Sequence, residues 1–264
     1  MSSNPSSLIP LPWHDGARLL LNEVRAGRER AMLAGAKGLG KSWFVRAETL
    51  ATTKNDRRLI YASLAEVRSG AGALAAVLDA VYASGHPAGR TLYGLSDRAR
   101  RRGANYLLGL CVDELAERLI GAVVLDEAPF LATPALAHVA QLIDHCHLRH
   151  QHALGLLLVT TTLDWRGLRE SEELGQRLTT VLHVPPLSAA DLEAVLEHRS
   201  PDLMRALRKA GVRRRDAVTQ ALIRGVDGSI RRLVHIVDRA EQNAARRGRA
   251  VELDDLEHAI NLQA

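Results

Sequence analysis

Ala31-Met32-Leu33-Ala34-Gly35-Ala36-Lys37-Gly38-Leu39-Gly40-Lys41-Ser42 is an apolar run that breaks into G-x-x-x-x-G-K-[ST]. The apolar part predicts a buried strand at about 31–34, and the glycine-rich turn predicts a helix directly after it. Such glycines let the backbone wrap around a phosphate and turn its N–H groups inward. The helix that follows offers the positive end of its dipole. On this reading Gly35, Ala36, Lys37, Gly38, Leu39, Gly40, Lys41 and Ser42 bind a nucleotide. Lys41 reaches the β- and γ-phosphates, and the Ser42 hydroxyl holds Mg²⁺.

Further short apolar runs follow at 59–62, 122–125, 156–159 and 181–184. Helical periods separate them, at about 71–83, from Arg98 to Arg118, and at 134–150. A first helix precedes them at 13–29. Strands alternating with helices predict an α/β fold with a mainly parallel sheet flanked by helices. After Pro185-Pro186 the strand signal ends, and helices are expected at 189–198, 201–210, 214–224, 229–246 and 253–262. Ser188 with Asp191 reads as a capping box, and Ser200-Pro201 as a cap before proline at the first helical position. The expected organisation is a loose tail over 1–12, a nucleotide-binding core over 13–186 and a helical lid over 187–264.

Composition narrows the function classes. The chain of 264 residues is 47% hydrophobic and 25% charged, with a net charge of +5. That balance permits a polyanionic partner without requiring one. Two cysteines, Cys111 and Cys146, give no disulfide framework and fit a reducing compartment. With no signal-peptide layout and no apolar run long enough to span a bilayer, the expected location is the cytoplasm.

Asp126-Glu127 closes the strand at 122–125, where open α/β sheets present their ligand groups. Asp126 is expected to hold the Mg²⁺ shell together with Ser42, and Glu127 to orient and deprotonate an attacking water. Thr160, Thr161 and Thr162 end the next strand; Thr161 is the first candidate for sensing the γ-phosphate and Thr162 the second. Arg177, just before the last strand, is the candidate for stabilising charge on a neighbouring subunit's nucleotide, with Arg169 as competitor. Arg231, in Gly228-Ser229-Ile230-Arg231-Arg232, would fold from the first turn of a lid helix onto the phosphates. Trp13 and His14 either border the base or anchor the tail. His145-Cys146-His147 does not match a closed zinc spacing and reads as a polar helix end.

Phosphate loop, strand-end Asp-Glu, threonine sensor, pre-strand arginine and helical lid with Gly-x-x-Arg occur in the order of the AAA+ ATPases, which the chain resembles from about 13 to 264. The phrases Arg177-Leu178, Val184-Pro185-Pro186-Leu187-Ser188 and Gly228-Ser229-Ile230-Arg231-Arg232-Leu233 are most similar to the TniB, TnsC and MuB group of DNA-transposition regulators. That resemblance implies ATP and Mg²⁺ as cofactors and ATP hydrolysis as the activity. The implied partners are duplex DNA, further copies of the chain in a ring or helical filament, a transposase and a target-selection protein. It also places Arg98, Arg100, Arg101 and Arg102 toward DNA, where they would contact phosphates without reading sequence. A second basic cluster, running from Arg205 to Arg215, reads as a solvated or partner-facing surface. The alternatives are a replication initiator or helicase loader of the same superfamily, and a nucleotide-gated scaffold with little turnover.

Overall fold

A strand sealed on both faces reads as a short unbroken apolar run, because neither face alternates toward water. The computed structural model, which describes residues 11–53, 59–65, 67, 69–83, 102–128, 133–151, 153–161, 170, 172 and 174–262, contains such strands. They are β1 (Arg30–Gly35), β3 (Ala122–Asp126) and β4 (Gly155–Thr160), with a largely apolar edge strand, β2 (Leu59–Ser63), and a half-buried β5 (Thr180–Val184). They form one sheet in the order β2-β3-β4-β1-β5. The pairs β2–β3, β3–β4 and β1–β4 are parallel.

The chain forms two compact bodies. The first comprises residues 15–35 and 41–183; the described part of the second is 11–14, 36–40 and 184–262. In the first body the sheet is flanked by α1 (Pro12–Arg25) from Asp15 onward, α2 (Lys41–Thr53), α3 (Gly70–Ala83), α4 (Ala104–Glu117) and α5 (Thr133–His150). Leu74 and Leu78 of α3, Leu107 and Leu115 of α4 and Ile143 of α5 meet Leu158 of β4 in one dry cluster. Each such side chain contributes about 1.5–3 kcal/mol by leaving water. Both cysteines lie in this cluster, and the Cys111 thiol donates to the Leu74 carbonyl at 3.2 Å. Arg18 of α1 bonds Glu48 of α2 at 2.9 Å and stacks over Phe44.

The second body holds α6 (Ala189–Arg199), α7 (Pro201–Lys209), α8 (Val212–Val226), α9 (Ile230–Arg246) and α10 (Leu253–Asn261). The Ser188–Asp191 capping box is present in full at the start of α6. Three expectations need correction. Ser200 stands at the N-cap of α7 with Pro201 at its start, as expected, but its side chain makes no cap bond. The helix α8 begins at Val212 rather than 214, so Arg213, Arg214 and Arg215 sit in its first turn. The helix expected from Arg98 starts, among the described residues, only at Ala104, because Gly103 has φ +89° and ψ 170°, outside helical space.

Candidate nucleotide site

Parallel strands bring their carboxyl ends to one edge of the sheet, and the register fixes which residues meet there. Ser63 pairs with Asp126, Asp126 with Val159, and Ala34 with Thr160. Ser42 Oγ, from the first turn of α2, donates to Asp126 Oδ1 at 3.0 Å, and the Glu127 N–H donates to the same oxygen at 2.8 Å. The Tyr61 hydroxyl donates to Asp126 Oδ2. Burial, then the hydrogen bond and charge of Asp126, push the Tyr61 phenol well above its ordinary range, so it remains a donor. Asp126 is buried, yet every group that hydrogen-bonds it is neutral.

Lys41 is 7% exposed and donates from Nζ to the Gly35 carbonyl at 2.8 Å. Burial pushes its pKa down to about 8, partly opposed by the charge of Asp126. A buried cation and a buried carboxylate with no charged hydrogen-bond donor among the described residues therefore lie at the same strand edge. Ser42 and Asp126 supply a hydroxyl and one carboxylate, a hard-oxygen pair suited to Mg²⁺, which keeps waters and phosphate oxygens as its other ligands. The residues present fit that ion.

Glu127 sits one step past β3 with φ +60°, a left-handed conformation that costs a side-chain-bearing residue about 1–2 kcal/mol. The turn aims its exposed carboxylate off the sheet edge, within 3.4 Å of Ser63 Oγ. Thr160, only 2% exposed, has a hydroxyl without a hydrogen-bond partner among the described residues. Thr161 follows it just past the strand; Thr162 and Arg169 lie outside the described residues.

Arg177 stands in a single 3₁₀ turn, Gly175–Arg177. Its guanidinium forks onto Asp144 of α5, at 3.2 Å to Oδ1 and 2.7 Å to Oδ2. The predicted trans-acting arginine is thus held within its own chain. Arg102 is exposed, with its guanidinium 5.2 Å from the centre of the Tyr106 ring. Arg98, Arg100 and Arg101 lie outside the described residues.

In the second body the loop Ala36–Gly40 meets the start of α9. Gly38 and Gly40 have φ +89° and +81°, so both use the left-handed freedom that the motif's glycines supply. The Gly38 carbonyl accepts from the Arg231 N–H at 3.2 Å and from Ser229 Oγ at 3.5 Å. A Cβ at position 38 would collide with the Ser229 hydroxyl. The Arg231 N–H is one of the first-turn donors that a helix leaves unsatisfied, and a phosphate-loop carbonyl takes it. The Arg231 side chain is exposed. Trp13 and His14, both buried, pack edge to face with ring centres 4.3 Å apart.

Sequence reasoning missed Tyr61, Asp144 and the bond between Gly38 and α9. Tyr61 was within reach of a register argument, two residues before the end of the strand beside β3. The other two join positions distant in sequence and leave no local signal.

No protein-family profile matches the chain, and no curated protein matches its sequence. Solved structures do. The ORC2 protein of Aeropyrum pernix, solved as ADPNP–ADP complexes, is similar with a TM-score of 0.68 at 20% identity, over 95% of this chain and 67% of that one. The ORC1 protein of the same organism, solved in complex with DNA, gives 0.62 at 21%, over 95% and 66%. RuvB of Thermotoga maritima gives 0.56 at 13%, over 95% and 67%. The chain has the AAA+ P-loop fold.

Proposed function

We propose that this chain is a Mg²⁺-dependent ATPase that works on duplex DNA, and that its nucleotide state controls its assembly there. The observation that carries the reading is Asp126, a buried carboxylate whose hydrogen-bond donors are two hydroxyls and one backbone N–H. Its negative charge is left for a cation to satisfy. Bound Mg²⁺ would neutralise phosphate charge as the terminal phosphoryl group departs. Ser42 and Asp126 would hold that ion. Lys41 would exchange the Gly35 carbonyl for phosphate oxygens, and the backbone N–H groups of residues 36–40 would hold the rest of the phosphate chain. Glu127 would accept the proton of the attacking water. The orphan hydroxyl of Thr160 makes it a stronger candidate than Thr161 for orienting that water or the γ-phosphate. Arg231 would read the nucleotide from the first turn of α9. Arg177 would serve a neighbouring copy once released from Asp144.

In its finer form the reading is a regulator of DNA transposition. It would oligomerise on duplex DNA, as a ring or filament, and recruit or activate a transposase at the target, on its own or with a target-selection protein. The phrases around Arg177, Pro185-Pro186 and Arg231 support it. The likeness to the ORC2 and ORC1 structures favours a second reading, an initiator or helicase loader. Electron microscopy with duplex DNA and a slowly hydrolysed ATP analogue tests the common part. Nucleotide-dependent assemblies on DNA, lost in Lys41→Ala, are expected; particles indifferent to both ligands would overturn it. Co-purification with a transposase or with a replicative helicase separates the two finer readings.

A further inference from the structure

Residues 201–226, which span α7 and α8, carry six arginines and Lys209 against Asp202 and Asp216. Their net charge of +5 equals that of the whole chain, so the other 238 residues balance. The excess concentrates at the turn between the two helices. Arg208, Lys209, Arg213, Arg214 and Arg215 are all exposed, and Val212 among them is 66% exposed.

Stability does not account for this placement. Cations in the last turn of α7 complement that helix's dipole, but three arginines in the first turn of α8 oppose theirs. That helix starts from Gly211 with no side-chain cap and no acidic residue in its first turn. Local pairing absorbs only part of the charge. Arg214 is tied to Asp254 and Glu257 of α10, Arg208 to Glu197, and Arg205 to Asp202. Lys209 and Arg213 have no ion-pair partner among the described residues, and Arg215 has only its chain neighbour Asp216 at 3.7 Å.

We propose that the turn between α7 and α8, with Lys209 and Arg213 as cations unpaired among the described residues and Arg215 held only by its chain neighbour Asp216, is a docking surface for the phosphate backbone of duplex nucleic acid. The segment 201–226 contains no aromatic residue, so it offers nothing for unpaired bases to stack on. Exposed arginines and lysine match regularly spaced phosphates and read no sequence. The segment is distinct in sequence from the Arg98–Arg102 run, and the proposal rests on the reading of this chain as a DNA-associated ATPase.

The test is duplex binding by the full chain across a salt series, with Lys209→Gln/Arg213→Gln/Arg215→Gln beside a charge-matched control, Arg25→Gln/Arg28→Gln/Arg246→Gln. Each phosphate contact contributes about 0.9 to the slope of log K against log salt. The patch variant should therefore lose about 2 to 3 from that slope and bind at least about tenfold more weakly at 0.1 M salt. The control should keep the wild-type slope. The melting temperature of the patch variant should hold or rise slightly, because Arg213 and Arg215 oppose the dipole of α8 and only Lys209 complements that of α7. Equal slopes in all three proteins, or equal losses in both variants, would overturn the surface. So would tighter capture of poly-glutamate than of duplex, which would mark an acidic polypeptide as the occupant. Failure of the wild type itself to bind duplex would instead remove the DNA part of the proposed function.

Discussion

Asp126 and Asp255 are both buried carboxylates, one in each body of the molecule, and their partners differ in kind. Asp255 of α10 receives a guanidinium fork from Arg249 at 2.7 and 2.9 Å, the Glu252 N–H at 3.1 Å and Arg247 at 3.5 Å. Its charge is cancelled on the spot, and it fastens α10 to the turn before it. Asp126 is held by hydroxyls and a backbone N–H, while Lys41 bears on it only through its field. The same residue type, similarly buried, is a structural rivet in one case and, in the proposed function, a cation ligand in the other. The neutrality of the donors, not the burial, separates them.

The largest expected effect breaks the catalytic side of this contrast. Glu127→Gln should slow single-turnover ATP hydrolysis by about 10²–10⁴-fold, the usual worth of a positioned base, while fluorescent-nucleotide affinity stays near wild type. Glu127→Gly should lose as much activity yet raise the melting temperature by about 2–4 °C, since glycine adopts φ +60° without strain. A fall in melting temperature would show that the left-handed turn is not where strain is stored.

On the structural side, Asp255→Ala should destabilise the protein by about 1–2 kcal/mol, read by chemical denaturation, because the Glu252 N–H and the part-exposed Arg249 lose a charged acceptor. Desolvation is the largest single influence on Asp255 and raises its pKa. The Arg249 bonds, the Glu252 N–H and the charges of Arg249 and Arg247 together outweigh it and hold the group below its ordinary 3.8. This stabilisation is therefore complete above about pH 5 and is lost as pH falls through the depressed value. The Ala variant should lack that acid-dependent step. Persistence of the step would assign it to another carboxylate.

A third measurement sharpens the role of Lys41. Its pKa of about 8 in the free protein is set chiefly by burial, against an ordinary 10.5. Bound phosphates would raise it again, so above pH 8 nucleotide binding must take up a proton. Affinity should be flat below pH 8 from this group and fall about tenfold per unit above it. Calorimetry in buffers of different ionisation enthalpy reads the proton directly. Lys41→Arg should remove the dependence.

Much of this architecture is legible in the sequence because it is local. Three strands are apolar runs sealed on both faces, β2 is a largely apolar edge strand, and the glycine spacing of the phosphate loop is itself the geometry of the turn. Asp126 and Glu127 follow from standing at the end of such a run. What escapes the sequence is long-range or conformational. Ser229 lies 191 residues from the Gly38 carbonyl it contacts, and no spacing rule joins them. Ser200 has the right residue type for a cap but makes no cap bond. Gly103 stops α4 through a positive φ that composition alone does not announce.

Tyr61, which local spacing misses but a register argument reaches, yields the smallest and most discriminating prediction. In Tyr61→Phe the ring stays and only the donor to Asp126 Oδ2 is lost. Ser42 and the Glu127 N–H still hold Oδ1, so the carboxylate keeps one anchor and can rotate about it. A hydrogen bond to a charged group contributes about 1.5–3 kcal/mol, and part of that returns as water reaches the freed oxygen. Affinity for nucleotide with Mg²⁺ should therefore fall about 3- to 10-fold, and affinity in chelator should not change. An equal loss in both conditions would make Tyr61 a packing residue of β2. If neither changed, Asp126 would be held by Oδ1 alone, and the distinction from Asp255 would rest on the neutrality of two donors rather than three.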